Sequence, residues 1–331
     1  MRVVLVCPAP PGSRLGNRIT ALRWQRLLRE LGHRVTIETA TSGAAVIPSR
    51  RCDLLIALHA RRSAQAVFAS REESPARPVV VALTGTDLYR DIHHDPAAQR
   101  ALQLASLLIT LHPGAAAELP RALRAKVRVV PQSAPKVGRA PKPSARTFEV
   151  AVVGHLRDEK DPLRTALAAR LLPESSRVRV LHAGAALSPA HARAAEGEAR
   201  KNPRYRWLGE VPRWKARALI ARSRLLAVTS AIEGGANVVS EAAASGTPVL
   251  ASRIPSMVAL LGRGHPGLFP FGDTAALARL LTRAEREPEF LEGLARRSRA
   301  LRPQLSQARE KAALRSLVAE LANPVQRTRR S

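Results

Sequence analysis

Two carboxylates, Glu233 and Glu241, enclose the run Gly234-Gly235-Ala236-Asn237-Val238-Val239-Ser240. A glycine pair directly after an acid lets the backbone turn tightly and approach a ligand closely. A helix is predicted to begin near Asn237, with its unpaired N–H groups facing the preceding loop, a setting suited to phosphate. Glu233 falls in the loop, and Glu241 about one turn into the helix, on its open side. Carboxylates do not bind phosphate, but they accept hydrogen bonds from sugar hydroxyls. A phosphate cradle between two such acids suits a nucleotide sugar. The plainer reading is a helix N-terminus with solvated acids, since this spacing alone often arises by chance.

A second loop carries different chemistry. After Cys7 the chain reads Pro-Ala-Pro-Pro-Gly12-Ser13-Arg14-Leu15-Gly16-Asn17-Arg18 and runs into a helical pattern. Glycines and arginines at a helix N-terminus suit a small anion. The loop lacks the Gly-Lys-Ser/Thr ending of a Walker A motif and is not a dinucleotide fingerprint; a plain strand-to-helix turn is the alternative. His59, followed by Arg61 and Arg62, is a candidate general base or a structural histidine at a strand end. His93 and His94 are expected in an exposed loop. Neither histidine spacing nor cysteine placement suggests a metal site, and there is no Asp-x-Asp triplet.

These residues must be held by a regular scaffold. The chain has 331 residues, about two domains by size. It is 45% hydrophobic but 3% aromatic, so its cores must be built from Ala, Val, Leu and Ile. Net charge is +28. The arginines spread along the whole chain, consistent with codon bias, an anionic ligand, nucleic acid or a membrane surface. The scarcity of aromatics weighs against a single-strand nucleic-acid binder, and no nucleic-acid motif is present. Cys7 and Cys52 cannot form a disulfide framework and read as small buried hydrophobes. No apolar run is long enough to span a bilayer and no signal peptide is evident, so a cytoplasmic location without stable membrane association is the expectation.

Short apolar runs alternate with helical stretches, the signature of an α/β protein with two doubly wound halves. Expected strands are Val3–Val6, Arg34–Thr39, Leu54–Ala57, Val79–Leu83, Leu107–Thr110 and Val127–Val130. Then come Phe148–Val153, Val178–His182, Tyr205–Leu208, Leu225–Val228 and Pro248–Ala251. The clearest helix is Arg18–Leu31, closed by Gly32, with Ile19, Leu22, Leu27, Leu28 and Leu31 facing the core. The expected domains are 1–135 and 148–300, joined by a Pro- and Lys-rich linker at 136–147. A C-terminal helix at 301–322 is expected to pack back on the first domain, before a basic tail at 323–331. Two parallel sheets joined in this way would place ligands at the carboxyl ends of the strands, in a cleft.

The Glu233–Glu241 segment in its strand–loop–helix–strand setting resembles the donor motif of family 4 glycosyltransferases of the two-domain, Rossmann-like GT-B fold. The resemblance implies that Glu233 contacts the donor sugar, the amides of Gly234, Gly235, Ala236, Asn237 and Val238 the diphosphate, and Glu241 the ribose. It makes Gly154-His155-Leu156-Arg157-Asp158-Glu159-Lys160 the segment whose cations, Lys160 and Arg157, neutralise the leaving diphosphate without a metal or other cofactor. A salt bridge to Glu159 or Asp161 is the plainer role for Arg157. Gly184 matches a glycine-bearing loop under the nucleotide, and the base expected from the family is uracil. Thr84-Gly85-Thr86-Asp87 stands where members commonly carry His-Gly-x-Asp, so the family histidine is a threonine here.

Further segments resemble one subgroup, the selenosugar synthases of selenoneine biosynthesis: Gly16–Trp24, Leu58–Ser63, Leu83–Tyr89, Gly154–Arg164 and Asn202–Glu210. This resemblance extends from the N-terminus to about Glu285. It implies transfer of a sugar from a UDP-sugar, such as UDP-N-acetylglucosamine, to selenophosphate with formation of a C–Se bond. It also implies coupling to a selenophosphate synthetase and a downstream selenoneine synthase. The expected acceptor set is Gly12, Ser13, Arg14, Gly16, Asn17, Arg18, His59, Arg61, Thr84 and Asp87. An acceptor that is already an anion needs no general base, which fits Thr84. The alternative is a family 4 enzyme glycosylating a lipid or polysaccharide hydroxyl.

Overall fold

The computed structural model describes residues 1–40, 52–135, 138 and 142–322. The expected tail, 323–331, and residues 136, 137 and 139–141 of the expected linker lie outside the described residues. The chain divides into two units, Met1–Gln132 with the segment from Gln307, and Ser133–Ser306. Among the described residues no helix is long and apolar enough to cross a membrane.

The first unit holds a six-stranded sheet of β1 (Arg2–Cys7), β2 (Arg34–Thr39), β3 (Leu54–Leu58), β4 (Val79–Ala82), β5 (Leu107–Thr110) and β6 (Val127–Val129). The order is β2-β1-β3-β4-β5-β6 and every pairing is parallel. Helices α1 (Gly16–Glu30), α2 (Ala64–Glu73), α3 (Ile92–His94) and α4 (Pro96–Leu104) connect the strands. Sheets covered on both faces have nearly continuous apolar strands. Here Val3, Leu5 and Cys7 pack with Trp24 and Leu28 of α1 and with Leu314 and Leu317 of the last helix. Val4 and Val6 face the other way, toward Val67 of α2 and Leu102 of α4. His93 and His94 are exposed, but on the short α3 rather than in a loop.

Two expectations about helices are corrected. In α1, Leu22 is 47% exposed, while Arg23 and Trp24 are buried. The cause is the C-terminal helix, Gln307–Ala322, which brings the fully buried Glu310 onto this face. Both Glu310 oxygens accept from Arg23 Nε at 2.9 Å, and Oε1 also accepts from Trp24 Nε1 at 2.8 Å. An arginine reads as a surface residue until its partner is known, and this partner lies 287 positions away. The C-terminal helix also starts at Gln307 rather than 301. Turns fill 301–306, around Pro303, which lacks an N–H to continue a helix.

The second unit holds β7 (Phe148–Val153), β8 (Val178–Ala183), β9 (Tyr205–Trp207), β10 (Leu225–Val228), β11 (Val249–Ser252) and β12 (Leu268–Phe269). The parallel order is β12-β11-β10-β7-β8-β9. Its helices are α5 (Arg164–Arg170), α6 (Pro189–Lys201), α7 (Arg213–Arg222), α8 (Asn237–Ser245), α9 (Pro255–Leu261), α10 (Thr274–Arg286) and α11 (Pro288–Ala300). Strand β12 was not anticipated, because two residues carry no periodicity. Val150, Val180 and Leu225 pack toward α5, α10 and α11, and Leu226, Val249 and Ala251 toward α7, α8 and α9.

Each sheet has one place where the strand order reverses. In the first it lies between β1 and β3, and in the second between β7 and β10. The loops leaving the carboxyl ends of such strands diverge and leave a crevice for a ligand. The loops concerned are 8–15 and 59–63 in the first unit, and 154–163 and 229–236 in the second.

Glu310→Ala should remove the buried carboxylate that Arg23 and Trp24 share and cost about 3–5 kcal/mol. Denaturant unfolding checks this; a loss under about 1 kcal/mol would show that the pair does not hold the last helix.

Candidate active site

The second unit's switch point carries an ion pair. Glu233, buried in the loop after β10, takes the Lys160 ammonium through Oε1 and accepts from Ser230 Oγ at 2.7 Å. Lys160 closes a short 3-10 turn, Asp158–Lys160. The main chain of that turn accepts hydrogen bonds from the β10 loop. Ala231 N–H donates to the Glu159 carbonyl at 2.9 Å, and Thr229 Oγ1 donates to the carbonyls of Lys160 and Asp161 at 3.0 and 2.9 Å. The structure thus brings together Lys160 and Glu233, which lie 73 positions apart. Arg157 lies 3.8 Å from Glu159 in a partly exposed pair, the plainer of its two expected roles.

Gly234, Gly235 and Ala236 follow as buried backbone. The left-handed residue is Ala236, with φ 44°, rather than either glycine. Such a conformation costs a residue with a Cβ about 1–2 kcal/mol. Ala236 is the N-cap of α8, yet no side chain caps the helix and no acid lies in its first turn. A helix start left in this way presents N–H groups and the positive end of its dipole to an anion. Glu241, expected on an open side, is 6% exposed, because α7 lies beside it and sets Arg213 Nη2 3.3 Å from its Oε1.

The floor of the site is backbone in close contact. A Cβ on Gly184 would fall 1.8 Å from the Gly154 carbonyl oxygen, so only glycine fits there. Gly184 N–H donates to the Gly209 carbonyl at 2.8 Å, and Gly154 N–H to Ala183 at 3.0 Å. The strut behind these loops is His182, which sequence reading passed over. Its Nε2 donates to the Gly154 carbonyl at 3.1 Å, leaving Nδ1 to accept the Tyr205 hydroxyl at 3.1 Å. Burial pushes the His182 pKa down to about 4, so the ring is neutral. Arg213 and His182 were missed because their partners lie on other elements, 23 to 28 positions away, and Ser230 because a serine three residues before an acid carries no distinctive signal.

In the first unit, the loop after β1 leaves Gly12, Arg14 and Gly16 exposed and Ser13, Asn17 and Arg18 partly buried. Gly12 turns at φ 79°. Among the described residues, Arg18 Nε and Nη1 and Ser13 Oγ are buried atoms with no hydrogen-bond acceptor or donor opposite them. Burial pushes the Cys7 thiol pKa up, against smaller opposing effects of the Ala9 backbone and Arg18. His59 is left-handed, at φ 75°, and 1% exposed. Its Nδ1 accepts from Arg62 N–H at 3.3 Å, so the neutral ring carries its proton on Nε2, 3.1 Å from Thr86 Oγ1. Burial lowers its pKa, with Asp87 and Asp91 opposing. Asp87 is spent on the backbone, accepting from Ala60, Thr84 and Gly85 N–H at 2.9–3.0 Å. It shapes the loop and has no oxygen left facing outward. Thr84 is partly buried, and Arg61, half exposed, lies 3.7 and 3.8 Å from Asp91 and Asp95. Among the described residues no group of three or more His, Cys, Asp or Glu side chains could hold a metal ion.

With this geometry, residues 139–301 match the Glycosyl transferases group 1 family. No curated protein matches the sequence. Among solved structures, Anabaena Alr3699/HepE in complex with UDP aligns with TM-score 0.76 and 18% identity over 96% of this chain and 100% of that one. Sucrose-phosphate synthase from Thermosynechococcus elongatus aligns with 0.74 and 16% over 97% and 98%. The α,α-trehalose 6-phosphate synthase of Burkholderia multivorans aligns with 0.75 and 14% over 100% and 98%. At these identities the likeness establishes the fold. The chain has the GT-B fold of two Rossmann-like units. The stretch that matches the group 1 family falls within the second unit.

The buried histidines set a pH dependence. His112, His182 and His265 are each pushed by burial from 6.5 to about 4. Between these values the unfolded chain binds protons that the folded chain refuses. Stability is therefore complete above about 6.5 and falls toward pH 4, by up to ~1.4 kcal/mol per pH unit for each histidine. Denaturant melts at pH 7, 5.5 and 4.5 should show this, with a shallower fall in His182→Gln. Equal stability at all three would contradict it.

Proposed function

We propose that this chain is a UDP-sugar-dependent glycosyltransferase whose acceptor is selenophosphate. The observation that carries the donor half is the Lys160–Glu233 pair at the β7/β10 switch point, beside the uncapped start of α8. It lies within the segment that matches the group 1 family. A structural neighbour has been solved with UDP-glucose, which supports the choice of a uridine nucleotide.

Glu233 grips the donor sugar in this reading, and the amides from Gly234 to Val238 hold the diphosphate. Glu241 accepts from the ribose, over the floor made by Gly154 and Gly184. Lys160, with Arg157 nearby, meets the negative charge that builds on the β-phosphate as the sugar leaves. Selenium attacks C1, the bond from C1 to the diphosphate oxygen breaks, and UDP departs. Water then cleaves the Se–P bond, releasing phosphate and a selenosugar.

Three features of the first unit support an anionic acceptor that brings its own nucleophile. Arg18 has buried nitrogens without a protein acceptor among the described residues. Thr84 stands in place of a base. Both nitrogens of His59 are already engaged, so the ring has no free lone pair for a hydroxyl proton. The acceptor set is then Gly12, Ser13, Arg14, Gly16, Asn17, Arg18 and Arg61, with His59, Thr84 and Asp87 shaping the adjoining loops.

The test is mass spectrometry of the purified protein with UDP-N-acetylglucosamine, with and without freshly made selenophosphate. The expected result is selenophosphate-dependent UDP release and a selenium isotope pattern on a hexosamine product. Glu233→Ala should lower turnover at least ~100-fold while the protein stays folded. UDP release with no selenium product would replace this acceptor by a hydroxyl on a lipid or polysaccharide.

A further inference from the structure

A third acid and a histidine stand beside the Lys160 turn and have no role in the reading above. His191 lies in the first turn of α6, whose N-cap is Ser188. Ser188 Oγ accepts from His191 N–H at 3.2 Å and donates its hydroxyl proton to His191 Nδ1 at 2.7 Å. With Nδ1 accepting, the neutral ring carries its proton on Nε2, which donates to Asp158 Oδ1 at 3.1 Å. The Asp158 side chain is 97% exposed. A carboxylate so open to water has no packing of its own, so the imidazole is its fixed point.

Asp158 is the first residue of the 3-10 turn that ends in Lys160. One side of that turn is held by the β10 loop, through Thr229 and Ala231. The opposite side is held by the loop after β8. Leu156 N–H donates to the Ala185 carbonyl at 2.8 Å, and Leu187 N–H to the Leu156 carbonyl at 3.1 Å. The main-chain ladder stops there, and the Ser188–His191–Asp158 chain extends it by one more tie. The turn is thereby held from both neighbouring strands, β8 and β10.

We propose that His191 is a positioning residue for Lys160. By holding Asp158 against the start of α6, it fixes the turn from which the Lys160 ammonium meets the terminal phosphate of a nucleoside diphosphate. This rests on the donor reading given above. A reactive Ser-His-Asp site is the other chemistry these three types could suggest. An almost fully exposed acid and a serine bonded to Nδ1 do not provide the buried, water-excluded setting that such a site needs.

Calorimetric titration with UDP and with UMP tests this, because only UDP carries the second phosphate. His191→Ala should weaken UDP about three- to tenfold, the worth of one hydrogen bond between polar groups, and leave UMP unchanged. His191→Gln, whose amide can still donate to Asp158, should recover most of the loss. In a Lys160→Ala background, His191→Ala should have no further effect. Unchanged UDP affinity in His191→Ala, an equal loss for UMP, or the same loss without Lys160 would each overturn the proposal while leaving the donor site standing. Failure of the unaltered protein to bind UDP would instead remove the donor reading and this inference with it.

Discussion

The meeting of Lys160 with Glu233 is the contact on which the rest of the second unit converges. A cation and an acid from loops 73 positions apart can pair only if β7 and β10 are neighbours, and they are neighbours only because the strand order reverses there. Partial burial makes the pair matter more than a surface bridge would. It also leaves an ammonium poised where negative charge can be received. An anion reaching the start of α8 would share Lys160 with Glu233, and the acid would be freed to accept hydroxyl donors.

Behind that pair, the site is built from backbone rather than from large side chains. Gly154, Gly184 and Gly209 are linked by main-chain contact, and the first two lie too close for any Cβ on Gly184. A neutral His182, locked between the Gly154 carbonyl and Tyr205, braces them. A protein with 3% aromatic residues has little bulk with which to wall a pocket. Close packing of glycine loops serves instead. The first unit uses the same plan at its own reversal, between β1 and β3. There Asp87 spends both oxygens on amides and fixes the loop after β4 against the turn after β3.

The alternation of apolar runs and helices revealed both sheets, because a doubly covered parallel sheet needs strands apolar on both faces. Glu233 stood out as an acid before a glycine pair in a loop following a strand, and Lys160 through the resemblance of its segment; the structure places these two side chains in contact. Pair partners were not legible. The buried role of Arg23 gave no local signal because its partner Glu310 is 287 positions away. Glu241 looked open because nothing in the local pattern places Arg213 against it. The left-handed turn fell on Ala236 and on neither of the glycines before it, which composition alone does not reveal. Strand β12 was too short to have a period. His191 gave no local signal because its partner, Asp158, belongs to a different loop.

The most direct measurement is a crystal structure of the chain with an intact UDP-sugar. The account predicts a diphosphate at the start of α8 within hydrogen-bond reach of the Lys160 ammonium, and a Glu233 oxygen on a sugar hydroxyl. A nucleotide bound elsewhere, with the Lys160–Glu233 pair unaltered and facing only water, would contradict it.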